Sequence, residues 1–343
     1  MKVLMLEAYN RFSYEDMADP EIGAEDVLVR VKACGICGSD IHGMDGSSGR
    51  RQPPIVMGHE ASGVIAEVGS AVTQWEPGDR VTFDSMMSCG RCGFCRQGKI
   101  NLCDNRRVLG VSCGEYRRHG AFAEHVVIPQ HVIFRLPDAL SFEHAALVEP
   151  LSVAVHAIGR TPLVLNDTAV VVGTGMVGLL VVQALRVAGC GEIVAVDIDR
   201  GRLDLACELG ATLGLRADRD DVLAAVQEKT EGRGADVVVE VVGHTDSVKT
   251  AVAVVKKGGH LTIVGNLSPT VELPLQSIVT REISMIGTCG SCGEYPACLE
   301  MMSRGSIQVE PLISSTAPLS EGAQWFERLS RPDSGLLKVV LIP

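Results

Sequence analysis

Two patterns of apolar and polar residues follow one another along the 343-residue chain. Residues 1 to about 146 show short alternating runs separated by Gly, Pro and Asp, which predicts a small, strongly curved all-β domain. From about 150 to 286, apolar runs typical of buried strands alternate with segments of helical spacing. Repeated units of this kind predict an α/β domain with a parallel, doubly wound sheet. The tail, about 287 to 343, is mixed and ends in the strand pattern LLKVVLIP.

Five buried strands are predicted in the second zone. Their sequences are TAVVVG (168–173), EIVAVD (192–197), ATLGLR (211–216), ADVVVEVV (235–242) and GHLTIVG (259–265). The segments between them, such as RGRLDLACELG and DDVLAAVQEKT, have helical spacing. The uncharged run between Asp167 and Arg186 approaches the length of a membrane span. Its three spaced glycines favour a strand followed by a buried helix instead.

The composition favours one structural class, and the net charge argues against two kinds of partner. Hydrophobic residues make up 46% and aromatic residues 4% of the chain, which is typical of a globular α/β protein with buried parallel strands. The net charge of −11 argues against a nucleic acid or an anionic membrane as a general partner. One segment, residues 89–118, is locally basic. A solvated loop is favoured there over a site for an anionic partner.

Cysteine usage points to thiols and metal ligands. The apolar stretch at the N-terminus is too short for the core of a signal peptide. Twelve cysteines without a secretory signal therefore favour metal ligands and free thiols over disulfides. A cytoplasmic location is expected.

A dinucleotide site is predicted at VVVGTGMVG, which places Gly173, Gly175 and Gly178 between a strand and a helix. The first glycine allows a tight turn, the second allows a pyrophosphate to approach, and the third allows the helix to pack closely on the strand. Asp197 ends the next strand, where a carboxylate binds ribose hydroxyls and repels a 2′-phosphate. NAD is therefore expected, while Arg200 and Arg202 keep NADP as an alternative.

Four cysteines form the most conspicuous metal motif. Cys89, Cys92, Cys95 and Cys103 have the spacing C-x2-C-x2-C-x7-C. Four thiolates close a tetrahedron around zinc and leave no position for water or substrate. The motif therefore predicts a structural zinc site.

A second set of candidate ligands is spread along the chain: Cys37 in ACGICGSDIHG, His59 and Glu60 in MGHEASG, and Glu149 in ALVEPLSVAVHA. One thiolate, one imidazole and one carboxylate leave a fourth zinc position open, which is the composition of a catalytic site. Each residue alone is unremarkable, so the prediction depends on the combination.

The order of the motifs resembles that of the zinc-dependent medium-chain alcohol dehydrogenases, over essentially the whole chain. GHEASG and EPLSV are most similar to the polyol branch, that of sorbitol and galactitol-phosphate dehydrogenases, with threonine dehydrogenase as a relative. The resemblance implies a GroES-like catalytic domain (1–146 and 287–343) with a structural zinc lobe at about 87–105. A Rossmann NAD-binding domain (147–286) is inserted into it. A homo-oligomer is also implied, with a tetramer favoured and a dimer as the alternative.

The resemblance implies two zinc ions per chain and assigns roles at the catalytic one. Cys37 and His59 are expected ligands, and Glu60 is a third ligand or a carboxylate that exchanges with water and substrate. Glu149 is expected to ligate directly or through a water. Zinc lowers the pKa of the alcohol, and hydride passes to the nicotinamide.

Proton relay and cofactor positions are implied in the same way. Ser39 and His42 match the relay positions of CGSDIH, with ordered water as the alternative route. The expected cofactor-binding residues are Gly173, Gly175, Met176, Val177, Gly178, Asp197, Arg202, Gly243 and Gly265.

The chain departs from the sorbitol dehydrogenases at two substrate positions. Gly43 stands where they carry an aromatic residue, and Gly290 stands where they carry an arginine. Arg50 and Arg51 offer positive charge for a phosphate or carboxylate on a substrate, although a solvated loop is favoured. The remaining cysteines are interpreted as free thiols: Cys34, Cys113, Cys190, Cys207, Cys289, Cys292 and Cys298.

The leading hypothesis is a zinc- and NAD-dependent oxidoreductase that converts a secondary alcohol, a polyol or sugar-alcohol derivative, into the ketone. Oxidation of an amino alcohol, as by threonine 3-dehydrogenase, is the alternative of the same class. A non-catalytic zinc- and NAD-binding sensor is disfavoured, because the candidate ligands and relay residues occur together. A zinc-containing nucleic-acid binder is disfavoured, because it would need more than one basic loop on a chain with a net charge of −11.

Overall fold

The computed structural model describes residues 1–113, 116–331 and 334–343. Within them the chain forms two units. The first contains Met1–Glu149, Cys292–Gly305 and Val309–Pro343, and the second contains Pro150–Ser291 and Ser306–Gln308.

The elements are numbered here in chain order. The strands of the described residues are β1 Lys2–Ala8, β2 Arg11–Asp16, β3 Asp26–Gly35, β4 Ile55–Val56, β5 Glu60–Val68, β6 Arg80–Phe83, β7 Met86–Met87, β8 Arg107–Val108, β9 Ser112–Cys113, β10 Tyr116–Arg117, β11 His125–Pro129, β12 Ile133–Arg135, β13 Thr168–Val172, β14 Glu192–Asp197, β15 Leu213–Arg216, β16 Ala235–Glu240, β17 Val255–Ile263, β18 Ser284–Gly287, β19 Ile313–Pro318 and β20 Lys338–Ile342. The α-helices are α1 Gly38–Met44, α2 Gly93–Arg96, α3 Phe142–Ala146, α4 Val148–Arg160, α5 Met176–Val187, α6 Arg200–Glu208, α7 Val222–Lys229, α8 Thr245–Val254, α9 Leu275–Thr280, α10 Tyr295–Ser303 and α11 Gly322–Leu329. Short 3-10 turns occupy Ile100–Leu102, Gln130–Val132, Glu310–Leu312 and Leu319–Glu321.

The first unit is organised around β3, which pairs with β5, β11 and β20. With β6, β12 and β19 these strands form a seven-stranded sheet. Because side chains alternate between the two faces of a strand, β3 places Val27, Val29 and Val31 in the core. The β-rich texture expected before residue 146 is observed, with the short helices α1, α2 and α3 added to it.

The second unit contains a six-stranded sheet in the order β15-β14-β13-β16-β17-β18, with every pair parallel. Counted along this unit, the order is 3-2-1-4-5-6, that of doubly wound dinucleotide-binding folds. Val170, Val194 and Val238 are fully buried, as expected for strands covered on both faces. The predicted doubly wound sheet is confirmed.

Three strands of this sheet begin or end two or more residues from their predicted positions. β15 begins at Leu213 rather than at residue 211. β16 ends at Glu240 rather than at residue 242, because the buried Glu240 carboxylate accepts hydrogen bonds from the backbone N–H groups of Val242 and Gly243, at 2.9 and 2.8 Å. β17 begins at Val255, directly after α8, because Val255 already pairs with Ala235 across an irregularity in the register.

The long uncharged run does not form one helix. It comprises β13 and most of α5, joined by the glycine-rich loop. Across residues 1–113, 116–331 and 334–343, helices long and apolar enough to cross a membrane are absent.

Candidate active site and metal centres

The pairing of β3 with β5 assembles the first candidate site. In this antiparallel register Gly35 lies opposite Glu60, so that Cys37, just beyond β3, comes beside His59, just before β5. The ligand atoms of Cys37, His59 and Glu60 all lie within 4.8 Å of one another. A thiolate, an imidazole and a carboxylate at this spacing fit the donor set of a catalytic zinc ion.

A glycine at position 35 leaves space for this arrangement. A Cβ atom there would lie 2.5 Å from Glu60 Oε2 and 3.3 Å from Lys338 Cδ. Because Gly35 has no side chain, the Glu60 carboxylate can lie against β3 at this position.

Asp40 contacts both Cys37 and His59. It is fully buried, its Oδ2 accepts a hydrogen bond from Cys37 N at 3.2 Å, and its Oδ1 lies 3.4 Å from His59 Nδ1. Burial opposes its charge, but His59 and Arg51 outweigh that effect and lower the pKa of Asp40 to about 2. A carboxylate facing Nδ1 orients the ring and leaves Nε2 for a metal.

Lys338 balances the charge of Glu60. Its Nζ lies 2.5 Å from Glu60 Oε2 and donates to the carbonyl oxygen of Ile36 at 2.9 Å. The Lys338 and Glu60 side chains are 2% and 1% exposed. Burial alone would lower the pKa of Lys338, but the adjacent Glu60 raises it. Lys338 is therefore a buried cation that neutralises one predicted ligand.

Glu149 lies outside the group formed by the other three ligand atoms. It lies in the first turn of α4 and accepts a hydrogen bond from Ser85 Oγ at 3.4 Å. Removal from water, with repulsion from Glu60 and Asp84 partly offset by His59, raises the pKa of Glu149 to about 7. Glu149 therefore interacts electrostatically with His59 and Glu60 without joining the group of three ligand atoms.

The two expected relay residues lie on α1, one turn apart. Ser39 is exposed, and its Oγ accepts a hydrogen bond from Arg51 Nη2 at 3.2 Å. His42 is half-buried in the last turn of this helix.

The four-cysteine loop forms the second candidate metal centre, and its sulfur atoms also lie within 4.8 Å of one another. The Sγ atoms of Cys92 and Cys95 are 3.5 Å apart, close to the spacing of about 3.8 Å that four sulfurs at about 2.3 Å from zinc would have. Backbone N–H groups of Arg91 and Cys92 lower the pKa of Cys89 to about 6. The loop fits a closed tetrathiolate site.

The three glycines of the dinucleotide motif each meet a distinct requirement. Gly173 follows β13 with φ +95°, and a Cβ at Gly178 would lie 1.9 Å from the Gly173 carbonyl oxygen. Gly175 caps the N-terminus of α5 and has nothing within 4 Å of its Cβ direction, so the helix start is open. Met176 and Val177, the first residues of α5, are half-buried. The loop fits a pyrophosphate at a helix N-terminus.

Asp197 is tied to the glycine loop by protein donors. Its Oδ2 accepts from Thr174 N at 2.6 Å and from Thr174 Oγ1 at 3.0 Å. Its Oδ1 accepts from the N–H groups of Ile198 and Asp199, at 2.8 and 3.0 Å. The carboxylate therefore fixes the loop, a role that the sequence did not indicate. Because these four donors occupy most of its acceptor capacity, it has little left for ribose hydroxyls.

Of the two nearby arginines, one forms an exposed ion pair through its side chain and the other contacts Asp199 through its backbone. Arg200 pairs with Asp204 at 2.8 Å, and the backbone N–H of Arg202 donates to Asp199, which caps α6. Gly243 and Gly265 lie against each other at the ends of β16 and β17, where a Cβ on Gly265 would be 2.2 Å from Gly243 N.

Arg51 differs from its expected place. The sequence favours a solvated loop for both Arg50 and Arg51. Arg50 is exposed, but Arg51 is only 4% exposed and pairs with Asp40 at 3.0 Å. The Gly-, Ser- and Arg-rich sequence gave no sign of this buried partner. Arg51 is therefore not free to bind a substrate anion.

None of the other cysteines whose side chains are described forms a disulfide bond. Cys34, Cys190 and Cys298 are buried, whereas Cys207 and Cys289 are exposed. Cys292 donates to the carbonyl oxygen of Gly98 in the four-cysteine loop, at 3.1 Å. The side chain of Cys113 lies outside the described residues.

Comparison with known proteins matches both parts of the chain. Residues 23–138 match the family profile described as alcohol dehydrogenase GroES-like domain, and residues 176–304 match the profile described as zinc-binding dehydrogenase. The chain is 35% identical to a sorbitol dehydrogenase of Bacillus subtilis, over 100% of this chain and 97% of that one. It is 37% identical to an L-idonate 5-dehydrogenase of Vitis vinifera, over 88% and 83%.

A solved structure is similar along its whole length. It is a protein of Sinorhizobium meliloti 1021 described as a zinc-binding dehydrogenase, with NADP bound. The TM-score is 0.91 at 34% identity, over 100% of this chain and 99% of that one. The chain belongs to the zinc-dependent medium-chain alcohol dehydrogenases and, within them, to the polyol dehydrogenase branch.

Proposed function

We propose that this protein oxidises a secondary alcohol of a polyol or sugar-alcohol derivative to the ketone, with NAD⁺ as hydride acceptor and release of one proton. The observation that carries the proposal is the cluster of Cys37, His59 and Glu60. The match to sorbitol and L-idonate dehydrogenases supports the class of substrate.

In this proposal a bound zinc ion would polarise the alcohol oxygen and a bound nicotinamide would accept hydride, while residues of this chain position both. Cys37, His59 and Glu60 would hold the metal, with Glu149 as a neighbouring carboxylate. Asp40 orients His59, and Lys338 offsets the charge of Glu60. Gly173, Gly175 and Gly178 admit the pyrophosphate.

The proton of the alcohol is proposed to leave through Ser39 and His42. The geometry supports the first step, because Arg51 donates to Ser39 Oγ and thereby leaves the hydroxyl hydrogen free to point away from the guanidinium. The exposure of Ser39 and the half-buried position of His42 give this route an exit to solvent.

Several finer features belong to the same proposal. The two groups of candidate ligands support two zinc ions per chain. Residues 1–146 and 287–343 are proposed as the catalytic domain and 147–286 as the NAD-binding domain. A homotetramer in the cytoplasm is proposed from the resemblance to the polyol dehydrogenases.

A substrate screen tests the proposed function. NADH formation, followed by absorbance, is measured with polyols, their phosphates, sugar acids and threonine. We expect turnover with at least one polyol or polyol derivative. Turnover of threonine alone would favour the amino-alcohol alternative, and no turnover by the zinc-loaded protein with any secondary alcohol would contradict the proposal.

We further propose that NAD is preferred over NADP because of the charge of Asp197. Replacing Asp197 by asparagine keeps the size of the side chain and removes the charge, so repulsion of a 2′-phosphate is lost. The ratio of kcat/KM for NAD to that for NADP is expected to fall about 10-fold, measured with the best alcohol from the screen.

Thr174→Ala is the control for this prediction, because it removes one hydrogen bond to Asp197 but leaves the charge. We expect its cofactor ratio to stay near that of the wild type. An equal shift in both variants would assign the preference to the geometry of the loop instead.

A further inference from the structure

Arg51 is a buried cation in a segment whose composition is typical of an exposed loop. The surrounding sequence, GSSGRRQPP, contains Gly, Ser and Pro in a pattern of turns. Even so, Arg51 is only 4% exposed, while the adjacent Arg50 is exposed. A buried arginine needs partners, since an unpaired buried charge is costly.

The hydrogen bonds of Arg51 are made to side chains in the first turn of α1. Its Nη2 donates to Asp40 Oδ1 at 3.0 Å and to Ser39 Oγ at 3.2 Å. Its aliphatic stem lies against Gly43, where a Cβ would come within 2.8 Å of Arg51 Cγ and Cδ. The glycine that replaces the aromatic residue of the sorbitol dehydrogenases therefore makes room for this arginine.

Both partners of Arg51 touch the predicted metal ligands. Asp40 accepts from the backbone N–H of Cys37 at 3.2 Å and lies 3.4 Å from His59 Nδ1. The backbone N–H of Ser39 donates to Cys37 Sγ at 3.4 Å. One guanidinium group thus connects to the thiol through Ser39 and to the imidazole through Asp40.

We propose that Arg51 is a positioning residue for the metal centre: it fixes Asp40 and Ser39, and through them the orientation of His59 and Cys37. The inference rests on the proposed zinc site. It adds a residue that contacts neither the metal ligands nor the cofactor motif and that sets how tightly the metal is held.

The shape of the guanidinium matters as well as its charge. Arginine presents several N–H donors in one plane, whereas lysine presents a single ammonium group on a flexible stem. Arg51 Nε is buried without a hydrogen-bond partner, so the side chain acts through the Nη2 end that holds Asp40 and Ser39. We therefore expect Arg51→Lys to keep the positive charge but to fix the orientation of Asp40 and Ser39 less well.

Zinc affinity tests the proposal independently of catalysis. Wild-type protein, Arg51→Gln, Arg51→Lys and Arg50→Gln are titrated with a zinc chelator, and the metal released is counted. Arg50→Gln is the matched control, because it makes the same change of charge at the exposed neighbouring position. We expect the more weakly bound zinc to dissociate about 10-fold more readily in Arg51→Gln, less so in Arg51→Lys, and unchanged in Arg50→Gln.

A cobalt-substituted sample gives a second readout, because the visible spectrum of cobalt reports ligand geometry. It should change in Arg51→Gln and not in Arg50→Gln. Excess zinc should restore much of the NAD reduction lost in Arg51→Gln.

A purely structural role for Arg51 predicts a different result. The melting temperature of the metal-free protein would fall in Arg51→Gln, while zinc affinity and the cobalt spectrum stayed the same, and that outcome overturns the proposal. Failure of both Arg51 variants to fold, with Arg50→Gln folded, overturns it too. Because the chelator titration needs no alcohol, absence of NAD reduction by the wild type would refute the proposed function without affecting this test.

Discussion

Replacing Cys37 by serine is expected to abolish NAD reduction while the protein stays folded. Serine is a good N-cap residue, so it can replace the Cys37 side chain that caps α1, but it is a poor ligand for zinc. Losing the polarising metal costs several kcal/mol of transition-state stabilisation, so kcat/KM should fall by about 1,000-fold or more. The rate is measured as NADH formation with the best alcohol from the screen.

Metal analysis of the same variant separates the two centres. Zinc should fall from about two to about one ion per chain, because the four-cysteine loop closes its own tetrahedron. Cys207→Ser is the matched control, since Cys207 is exposed in α6 and belongs to neither cluster. Full activity in Cys37→Ser would show that the chemistry does not depend on this metal centre.

Replacing Lys338 by methionine is expected to destabilise the first unit strongly. The substitution leaves the Glu60 carboxylate buried without its cation, which typically costs about 3–5 kcal/mol in the free energy of unfolding. The measurement is urea unfolding of metal-free protein followed by tryptophan fluorescence. Both tryptophans, Trp75 and Trp325, belong to the first unit, so the signal reports on that unit alone.

Two further variants check the cause of this loss. Lys249→Met removes an exposed pair with Glu272 and should change the stability by at most about 1 kcal/mol. Adding Glu60→Gln to Lys338→Met removes both buried charges and should recover part of the lost stability. No recovery in the double variant would mean that packing of the lysine stem, rather than its charge, holds β20 in place.

The second unit was predictable because its local patterns determine its structure. Strands buried on both faces carry continuous apolar runs. The glycine spacing of the loop is set by the tight turn at Gly173 and by the close approach of Gly178 to it. The limits of the prediction lie at strand ends. The end of β16 depends on the Glu240 carboxylate, which binds the two N–H groups that would otherwise extend the strand.

The sequence also predicted the candidate metal ligands. It did not predict the buried cations Arg51 and Lys338, which contact Asp40 and Glu60. Spacing and residue type single out Cys37, His59 and Glu60, and the structure brings their ligand atoms together. Arg51 has the local sequence of a solvated loop, and its partner Asp40 lies 11 positions earlier in the chain. The one sequence feature that indicated a buried position for Lys338 was that it is the single charged residue in the apolar run LLKVVLIP.

Thr174 shows the same limit within a recognised motif. The second position of the glycine motif tolerates many residues, so its hydrogen bonds to Asp197 were not anticipated. The glycine motif reflects the space that a bound cofactor needs. The hydrogen bonds between Thr174 and Asp197 instead fix the conformation of the loop in this chain.

The ion pair between Glu60 and Lys338 has a consequence for the order in which the protein matures. Its two residues are 278 positions apart, and the second unit lies between them. At about 5–20 residues per second, synthesis of that interval takes roughly 15–55 s. Until Lys338 is added, β3 lacks β20 as a neighbour and Glu60 lacks its cation, whereas the last strand of the second sheet, β18, is complete once Gly287 has been added. The dinucleotide-binding unit is therefore expected to fold on the ribosome before the metal-binding unit can close.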